Sequence, residues 1–109
     1  MFRTTMNKGF QMTFENGMTI SVQFGYGNYS SNRDEAPMDA RTVNSVESET
    51  AEIAIWDSNG TWMNFNHDNV KGWVSADEVA DYIIKVKNAT SIEELHEGKG
   101  VSWLTEEGD

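Results

Sequence analysis

Two stretches near the start of the chain alternate strictly between apolar and polar residues. Phe10–Phe14 ("FQMTF") places three apolar side chains on one face, and Met18–Phe24 ("MTISVQF") places four on one face. A period of two residues is typical of antiparallel strands with one buried face. The intervening Asn16-Gly17 predicts a hairpin. A three-residue loop with Phe14 opposite Met18 keeps both apolar rows on one face, whereas a two-residue loop would separate them.

A second hairpin of the same kind is predicted further along the chain. Ala51–Asp57 ("AEIAIWD") and Thr61–Asn66 ("TWMNFN") flank Ser58-Asn59-Gly60, which again gives a three-residue loop ending in Asn-Gly. With Asp57 opposite Thr61, the predicted pairs are Ile55 with Met63 and Ile53 with Phe65 on the core side, and Trp56 with Trp62 on the other side.

The third element is a helix that begins after Ser75. Ser75 and Glu78 have the spacing of a capping box, in which two otherwise unpaired amides are satisfied reciprocally. The following residues carry an apolar stripe, which we expect to pack on the apolar face of the sheet. The stripe consists of Val79, Tyr82, Ile83 and Val86.

Ser91 and Glu94 repeat the capping-box spacing before a short helical turn. Together these patterns predict an α+β fold. Its antiparallel sheet is made of two hairpins (about four strands, with room for a fifth), and one main helix packs on one face. Residues 1–109 form a single domain with a long loop at about 25–50 and a short C-terminal tail.

The charge balance limits the partners of this domain. Eight Lys and Arg side chains stand against eighteen Asp and Glu, a formal net charge of -10. Direct binding of nucleic acid requires basic side chains that displace counterions from phosphate, so this chain is not expected to bind it. The acidity either keeps the protein in solution or imitates a phosphate backbone in the groove of a nucleic-acid-binding protein.

The composition also bears on location. There is no cysteine, and no apolar run approaches the roughly 20 residues needed to cross a bilayer. The first residues do not resemble a signal peptide. We therefore expect a soluble protein of the cytoplasm that makes no contact with a membrane.

The segment Gly25–Thr50 shows neither the period of a strand nor that of a helix. Its first part is rich in aromatic, amide and glycine residues. Aromatic faces stack on planar rings, amides supply donors and acceptors, and arginine pairs with anions. These side chains predict a site for a nucleotide-like small molecule; alternatively, the tyrosines cover the end of the sheet and the arginine pairs with a local aspartate. The candidate ligand-binding residues are Tyr26, Asn28, Tyr29, Asn32 and Arg33.

No motif for catalysis or metal binding is evident. His67 and Asp68 occur together, but the only other histidine is His96, and no ligand spacing links them. Ser30 and Ser31 have no histidine at a recognisable distance that would make either a nucleophile. We predict a protein that is not an enzyme and that carries neither a metal nor a cofactor, with His67 in a turn or at the end of a strand.

Tryptophan is more abundant than a small core requires. Trp56 and Trp62 are predicted to face away from the core, and Trp103 lies in an apolar stretch of the C-terminal tail. Exposed indoles are typical of interface anchors, so these three residues are the predicted contact of a homo-oligomer. The alternatives are that Trp56 and Trp62 form a cross-strand aromatic pair that only stabilises its hairpin, and that Trp103 packs back on the domain.

Three segments of the chain carry a resemblance to a known group of proteins. "NGMTISVQFGYGNYSSNR", "AEIAIWDSNGTW" and "GWVSADEVADYI" resemble segments of small proteins encoded by tailed phages that have no characterised activity. Small acidic phage proteins include counter-defence factors, and two mechanisms are known among them. One sequesters a nucleotide immune signal in a stable oligomer, and the other blocks a host defence protein by imitating DNA.

The resemblance therefore implies a viral protein of the host-cell cytoplasm that sequesters a nucleotide-like molecule in a homo-oligomer. The alternatives are an acidic inhibitor of a host defence protein and a small virion or assembly protein. No residue role is carried over from the resemblance.

Overall fold

A computed structural model describes residues 1–5, 8–24 and 47–97. They form a five-stranded sheet in which every strand pairs antiparallel with its neighbours in chain order. One α-helix and a short 3₁₀ helix, Glu93–Leu95, follow the sheet. The strands are β1 (Phe2–Thr4), β2 (Gly9–Thr13), β3 (Thr19–Gln23), β4 (Thr50–Trp56) and β5 (Lys71–Ser75), and the helix is α1 (Ala76–Asn88). The predicted α+β fold is confirmed.

The first hairpin has the predicted register. Met12 lies opposite Ile20, and the backbone amide of Phe14 donates to the Met18 carbonyl at 2.9 Å. The loop closes with the Gly17 amide donating to Phe14, and Gly17 has a φ of 87°. A residue with a side chain would be strained in this left-handed conformation, which explains the glycine.

The second loop is also confirmed. The Asp57 amide donates to the Thr61 carbonyl at 2.9 Å, and Gly60 has a φ of 83°. The Met63 amide donates to the Ile55 carbonyl at 2.7 Å, and Trp56 pairs with Trp62 as an isolated bridge. The two loops therefore share one construction, as their Asn-Gly sequences predicted.

The strand predicted at Thr61–Asn66 is wrong. The chain forms only isolated bridges there, because it turns again at Asn66 and His67, both of which have a positive φ. The early turn frees the edge of β4 for β5, so Ile53 pairs with Lys71 rather than with Phe65. Both Ile53 and Phe65 are nevertheless buried in the core.

A further strand, β1, completes the sheet at its other edge. Its three residues pair with β2, with Arg3 opposite Gln11 and Phe2 opposite Met12. Such a short strand has too few residues to show a period, which is why the pattern alone did not indicate it.

Helix α1 covers the apolar face, as predicted. The capping box is present: the Ser75 hydroxyl accepts from the Glu78 amide at 3.2 Å, and the Glu78 carboxylate accepts from the Ser75 amide at 3.0 Å. The helix packs mainly on β3, β4 and β5. Its stripe meets completely buried isoleucines of the sheet; the buried helix residues are Val79, Tyr82 and Val86, and those of the sheet are Ile20, Ile53 and Ile55.

The first hairpin loop also holds the end of the helix. The Asn16 side-chain amide donates to the carbonyls of Val86 at 2.8 Å and Ala89 at 2.9 Å, while its oxygen accepts from the Met18 amide at 3.0 Å. Helix C-termini leave carbonyls without intrahelical partners. The Asn16 amide supplies a donor to the Ala89 carbonyl and adds one to the Val86 carbonyl, which also accepts from the Ala89 amide at 3.3 Å. The loop and the helix end are therefore fixed relative to each other.

The predicted cap at Ser91 is wrong in detail. The short helical turn exists, but the Glu94 carboxylate accepts from the Thr90 hydroxyl at 2.6 Å and from the Thr90 amide at 3.2 Å. The N-cap residue of this turn is Ile92, whose side chain makes no capping hydrogen bond. Within residues 1–5, 8–24 and 47–97, no helix has the length and apolar character needed to cross a membrane.

Candidate functional site

The predicted ligand-binding residues lie outside the described part of the chain. Tyr26, Asn28, Tyr29, Asn32 and Arg33 all fall between residues 25 and 46. The described chain stops at Phe24, just after β3, and resumes at residue 47, just before β4. Because β3 and β4 pair antiparallel, the end of β3 and the start of β4 lie at the same end of the sheet.

This end of the sheet carries a cavity of about 210 Å³. Phe10 of β2, Phe24 directly after β3 and Val79 of α1 contribute apolar walls, whereas Ser48 and Glu49 bring polar groups. The Ser48 hydroxyl donates to the Thr50 carbonyl at 2.7 Å, and this bond fixes the Ser48 side chain just before the start of β4. The remaining lining residues are Val22, Thr50, Ala51, Val74 and Ala76.

The predicted tryptophan pair lies on the face of the sheet opposite the helix. Ile55 and Met63 are buried in the core. Trp56 and Trp62, their neighbours in the chain, therefore face the other way. Their rings stack with centroids 4.9 Å apart and planes 27° apart, and 42% of Trp62 is exposed. The third residue of the predicted interface, Trp103, lies outside the described residues.

A further exposed tryptophan, which the sequence analysis did not select, lies in β5. Trp73 precedes the fully buried Val74, so it too faces away from the core, and 57% of it is exposed. Its φ of 52° is unusual for a bulky residue, and the register between β4 and β5 shifts close by, between Ala51 and Ile53. The alternation of the exposed Trp73 with the buried Val74, just before the Ser75 cap, is the sequence signal for this strand.

A polar cluster joins Lys71 of β5, Tyr82 of α1 and Glu97, which follows the 3₁₀ turn. The Lys71 ammonium donates to the Tyr82 hydroxyl at 2.9 Å, and that hydroxyl donates to the Glu97 carboxylate at 2.6 Å. A second Glu97 oxygen lies 4.0 Å from the Lys71 nitrogen. Glu97 is held here through its backbone, since its amide donates to the Asn64 carbonyl at 2.8 Å.

These contacts shift two pKa values. The hydrogen bond to Tyr82 raises the pKa of Lys71, although partial burial opposes it. Burial, reinforced by the hydrogen bond to Glu97, raises the pKa of the Tyr82 phenol. The phenol therefore stays protonated at neutral pH and links one cation to one carboxylate. The Tyr82 ring also packs edge-on against Phe65, with centroids 5.8 Å apart.

The two histidines have separate roles. His67 lies in the turn between Phe65 and Asp68, in agreement with the sequence analysis. The Nδ1 atom of His96 accepts a hydrogen bond from the Asn64 amide at 2.9 Å. No group of three or more His, Cys, Asp or Glu side chains within the described residues has an arrangement that would hold a metal ion.

The described residues thus present an apolar cavity at one end of the sheet, an aromatic face, and a polar cluster beside the helix. Their chemistry is stacking, apolar packing and hydrogen bonding. Comparison with protein-family models, with curated proteins and with solved structures gave no match to this chain.

Proposed function

We propose that this chain is a non-enzymatic binding protein that holds a small planar molecule at the end of the sheet next to Phe24. The observation that carries the proposal is the apolar cavity between Phe10, Phe24 and Val79. It lies at the end of the sheet to which residues 24 and 47 belong, and the candidate ligand-binding side chains occupy the chain between them.

The size of the cavity limits its ligand. Pockets for drug-sized molecules measure roughly 300–1,000 Å³, and this one measures about 210 Å³. It therefore suits a single ring system, such as a nucleobase, rather than a complete nucleotide. A ribose and phosphates would lie outside it, and Arg33 is the predicted binding residue whose chemistry suits an anion.

The polar groups of the cavity indicate which edge of a ring they would meet. The Glu49 carboxylate accepts hydrogen bonds and repels phosphate, so an amino-substituted ring is favoured over an acidic one. The phenylalanine rings of Phe10 and Phe24 offer stacking or edge contacts to the same ring. Adenine-type and guanine-type bases satisfy both conditions.

A ligand panel tests the proposal on the full chain. Cyclic nucleotides, ADP-ribose-type nucleotides and the free nucleosides are added in a thermal-shift assay and then in calorimetry. A ligand at 100 times its Kd stabilises the folded state by about 2.7 kcal/mol, which is readily measured. We expect Glu49→Gln and Arg33→Ala to weaken binding, while Glu47→Gln, an exposed carboxylate that does not line the cavity, leaves it unchanged.

A panel that gives no stabilisation would refute the proposal, as would binding that survives both site variants. Native mass spectrometry of protein taken directly from cells supplies an independent measurement, because it reports a retained metabolite and the number of subunits together. Sequestration in a homo-oligomer, the mechanism that the phage resemblance implies, predicts one unaltered ligand per site and no product.

An acidic inhibitor of a host defence protein is a second candidate. It is supported by the distribution of charge, since residues 47–97 carry eleven acidic side chains and three lysines. An interaction of this type weakens steeply with added salt because it depends on exposed charges. Binding to a purified nuclease that does not change between about 50 mM and 300 mM salt would exclude it.

A further inference from the structure

A second cavity of about 400 Å³ lies beside the C-terminal half of α1, away from the cavity at Phe24. Its volume falls within the range of small-molecule sites. Unlike the first cavity, it is surrounded by charged and polar groups from the helix and from the 3₁₀ turn. The lining residues are Lys85, Asn88, Glu94, Leu95, His96 and Glu97.

Three hydrogen-bond donors of this cavity are not used by the described part of the chain. Lys85 forms no salt bridge there, and its nitrogen lies 5.2 Å over the Tyr82 ring. The Asn88 amide makes no side-chain hydrogen bond within the same residues. His96 accepts the Asn64 amide through Nδ1, so its neutral ring carries its proton on Nε2 and offers that group as a donor.

Two carboxylates of the cavity are held in fixed positions. The Thr90 hydroxyl and amide both donate to Glu94 at 2.6 and 3.2 Å, and they hold the pKa of that carboxyl below its usual value. Glu97 accepts from the Tyr82 hydroxyl at 2.6 Å. Both side chains retain further acceptor positions, because an ionised carboxylate has about four.

The arrangement disfavours a ligand of a single charge. A ligand that is only an anion would meet two carboxylates and the negative end of the helix dipole, and a ligand that is only a cation would leave the donors of Lys85, Asn88 and His96 without an acceptor. A ligand with one group of each charge satisfies the donors and the acceptors together. We propose that this cavity binds a small zwitterion of the amino-acid type, with its carboxylate on Lys85, Asn88 and His96 and its ammonium group on Glu94 and Glu97.

Matched ligands test the two charges separately. L-Leucine, N-acetyl-L-leucine and L-leucinamide are added to the full chain in calorimetry, with thermal shift as a second measurement. Acetylation removes the ammonium group and amidation removes the carboxylate, while the side chain that would meet Leu95 is unchanged. We expect L-leucine to bind about tenfold or more tightly than either derivative, because each loses charge-assisted hydrogen bonds.

Variants of one helix provide the control. Lys85 and Lys87 are both exposed in the last turns of α1, but only Lys85 lines the cavity. Lys85→Met should weaken L-leucine binding about tenfold, and Lys87→Met should leave it unchanged. Absence of L-leucine binding at millimolar concentration, equal binding of the acetylated derivative, or equal effects of the two lysine variants would each overturn the proposal. The first cavity is not involved, so its ligand panel is an independent result.

Discussion

At the scale of single residues, Gly9 is the position where the backbone leaves least room for a side chain. It has a φ of 153°, and a Cβ atom there would lie 2.0 Å from the Val22 carbonyl oxygen of the neighbouring strand. Gly60 also has a positive φ, of 83°, but a Cβ atom would meet nothing within 4 Å. A side chain at position 9 would therefore meet both backbone strain and a steric clash, whereas one at position 60 would meet backbone strain alone.

We expect Gly60→Ala to lower the free energy of unfolding by about 1–2 kcal/mol, the cost of a left-handed residue with a side chain. Gly9→Ala should cost more, because β2 must also move away from β3. Urea unfolding followed by tryptophan fluorescence measures both. Equal losses for the two variants would show that the contact with Val22 is not what requires glycine at position 9.

Tyr82 gives a prediction about alkaline pH. Its pKa is raised in the folded protein, so its contribution to stability is complete below the unfolded value of about 10 and is lost as the pH rises through the folded value. Tyr82→Phe keeps the ring beside Phe65 but removes the hydrogen bonds to Lys71 and Glu97. At pH 7 the variant should be less stable by about 1–3 kcal/mol.

Between pH 8 and pH 12, the difference between wild type and Tyr82→Phe should stay constant up to about pH 10 and shrink above it. Unfolding curves in urea across this range measure it. The pKa of Lys71 is raised as well, so its contribution is lost in the same alkaline direction and does not reverse the trend. A difference that grows with pH would contradict the proposed protonation of the cluster.

At the scale of elements, Asn16 connects the first hairpin to the end of α1. The two Asn-Gly loops are alike in sequence and conformation, but only Asn16 donates to helix carbonyls, those of Val86 and Ala89. The Asn59 side chain makes no hydrogen bond within the described chain. Asn59 is therefore a natural control for the loop conformation itself.

We expect Asn16→Ala to lower the free energy of unfolding by about 1–3 kcal/mol, because the Val86 and Ala89 carbonyls lose the Asn16 amide and Val86 keeps only the Ala89 amide at 3.3 Å. Asn59→Ala should change it by about 0.5 kcal/mol or less, the usual size for an exposed surface substitution. Hydrogen exchange would show faster opening of the last turn of α1 in Asn16→Ala alone. If both alanine variants have the same effect, the asparagines act only through their turns.

Local sequence predicted the elements whose determinants are local. The two Asn-Gly loops and the Ser75–Glu78 capping box depend on residues within four positions of each other, and all three are confirmed. Strand β5 was missed because its pairing depends on the turn at Asn66 and His67, where neither residue is a glycine. Long-range contacts such as Asn16 with the helix leave no periodic pattern to read.

At the scale of the whole molecule, the sequence predicted the surfaces less well than the core. The Trp56–Trp62 stack followed from register, because pairing across a known loop fixes which residues meet. The cluster of Lys71, Tyr82 and Glu97 could not be predicted from register. Lys71 and Glu97 are 26 positions apart and are brought together by tertiary packing. The predicted ligand-binding residues lie outside the described chain and stay a prediction.

The sheet presents two surfaces with exposed aromatic side chains, and each is a candidate for the predicted homo-oligomer contact. The first is the tryptophan face, with Trp62 42% exposed. The second is the helix side of β1 and β2, which extends beyond α1, since the helix packs mainly on the other three strands. There the apolar row that includes the buried Ile20 continues through Met12 to Phe2, which is 76% exposed. Exposed apolar patches of this kind often mark interaction sites.

One matched pair of variants distinguishes the two surfaces. If the homo-oligomer forms through the tryptophan face, Trp62→Ser should raise its dissociation constant about 30-fold or more, the size of a hot-spot effect of about 2 kcal/mol. Phe2→Ser, which removes an exposed aromatic ring from the opposite side, should leave it unchanged. Sedimentation velocity over a range of concentrations measures both constants. If Phe2→Ser raises the dissociation constant and Trp62→Ser does not, the contact lies on β1 and β2. A wild-type chain that is monomeric at every concentration would exclude both surfaces, because neither aromatic ring would then be buried by a second copy.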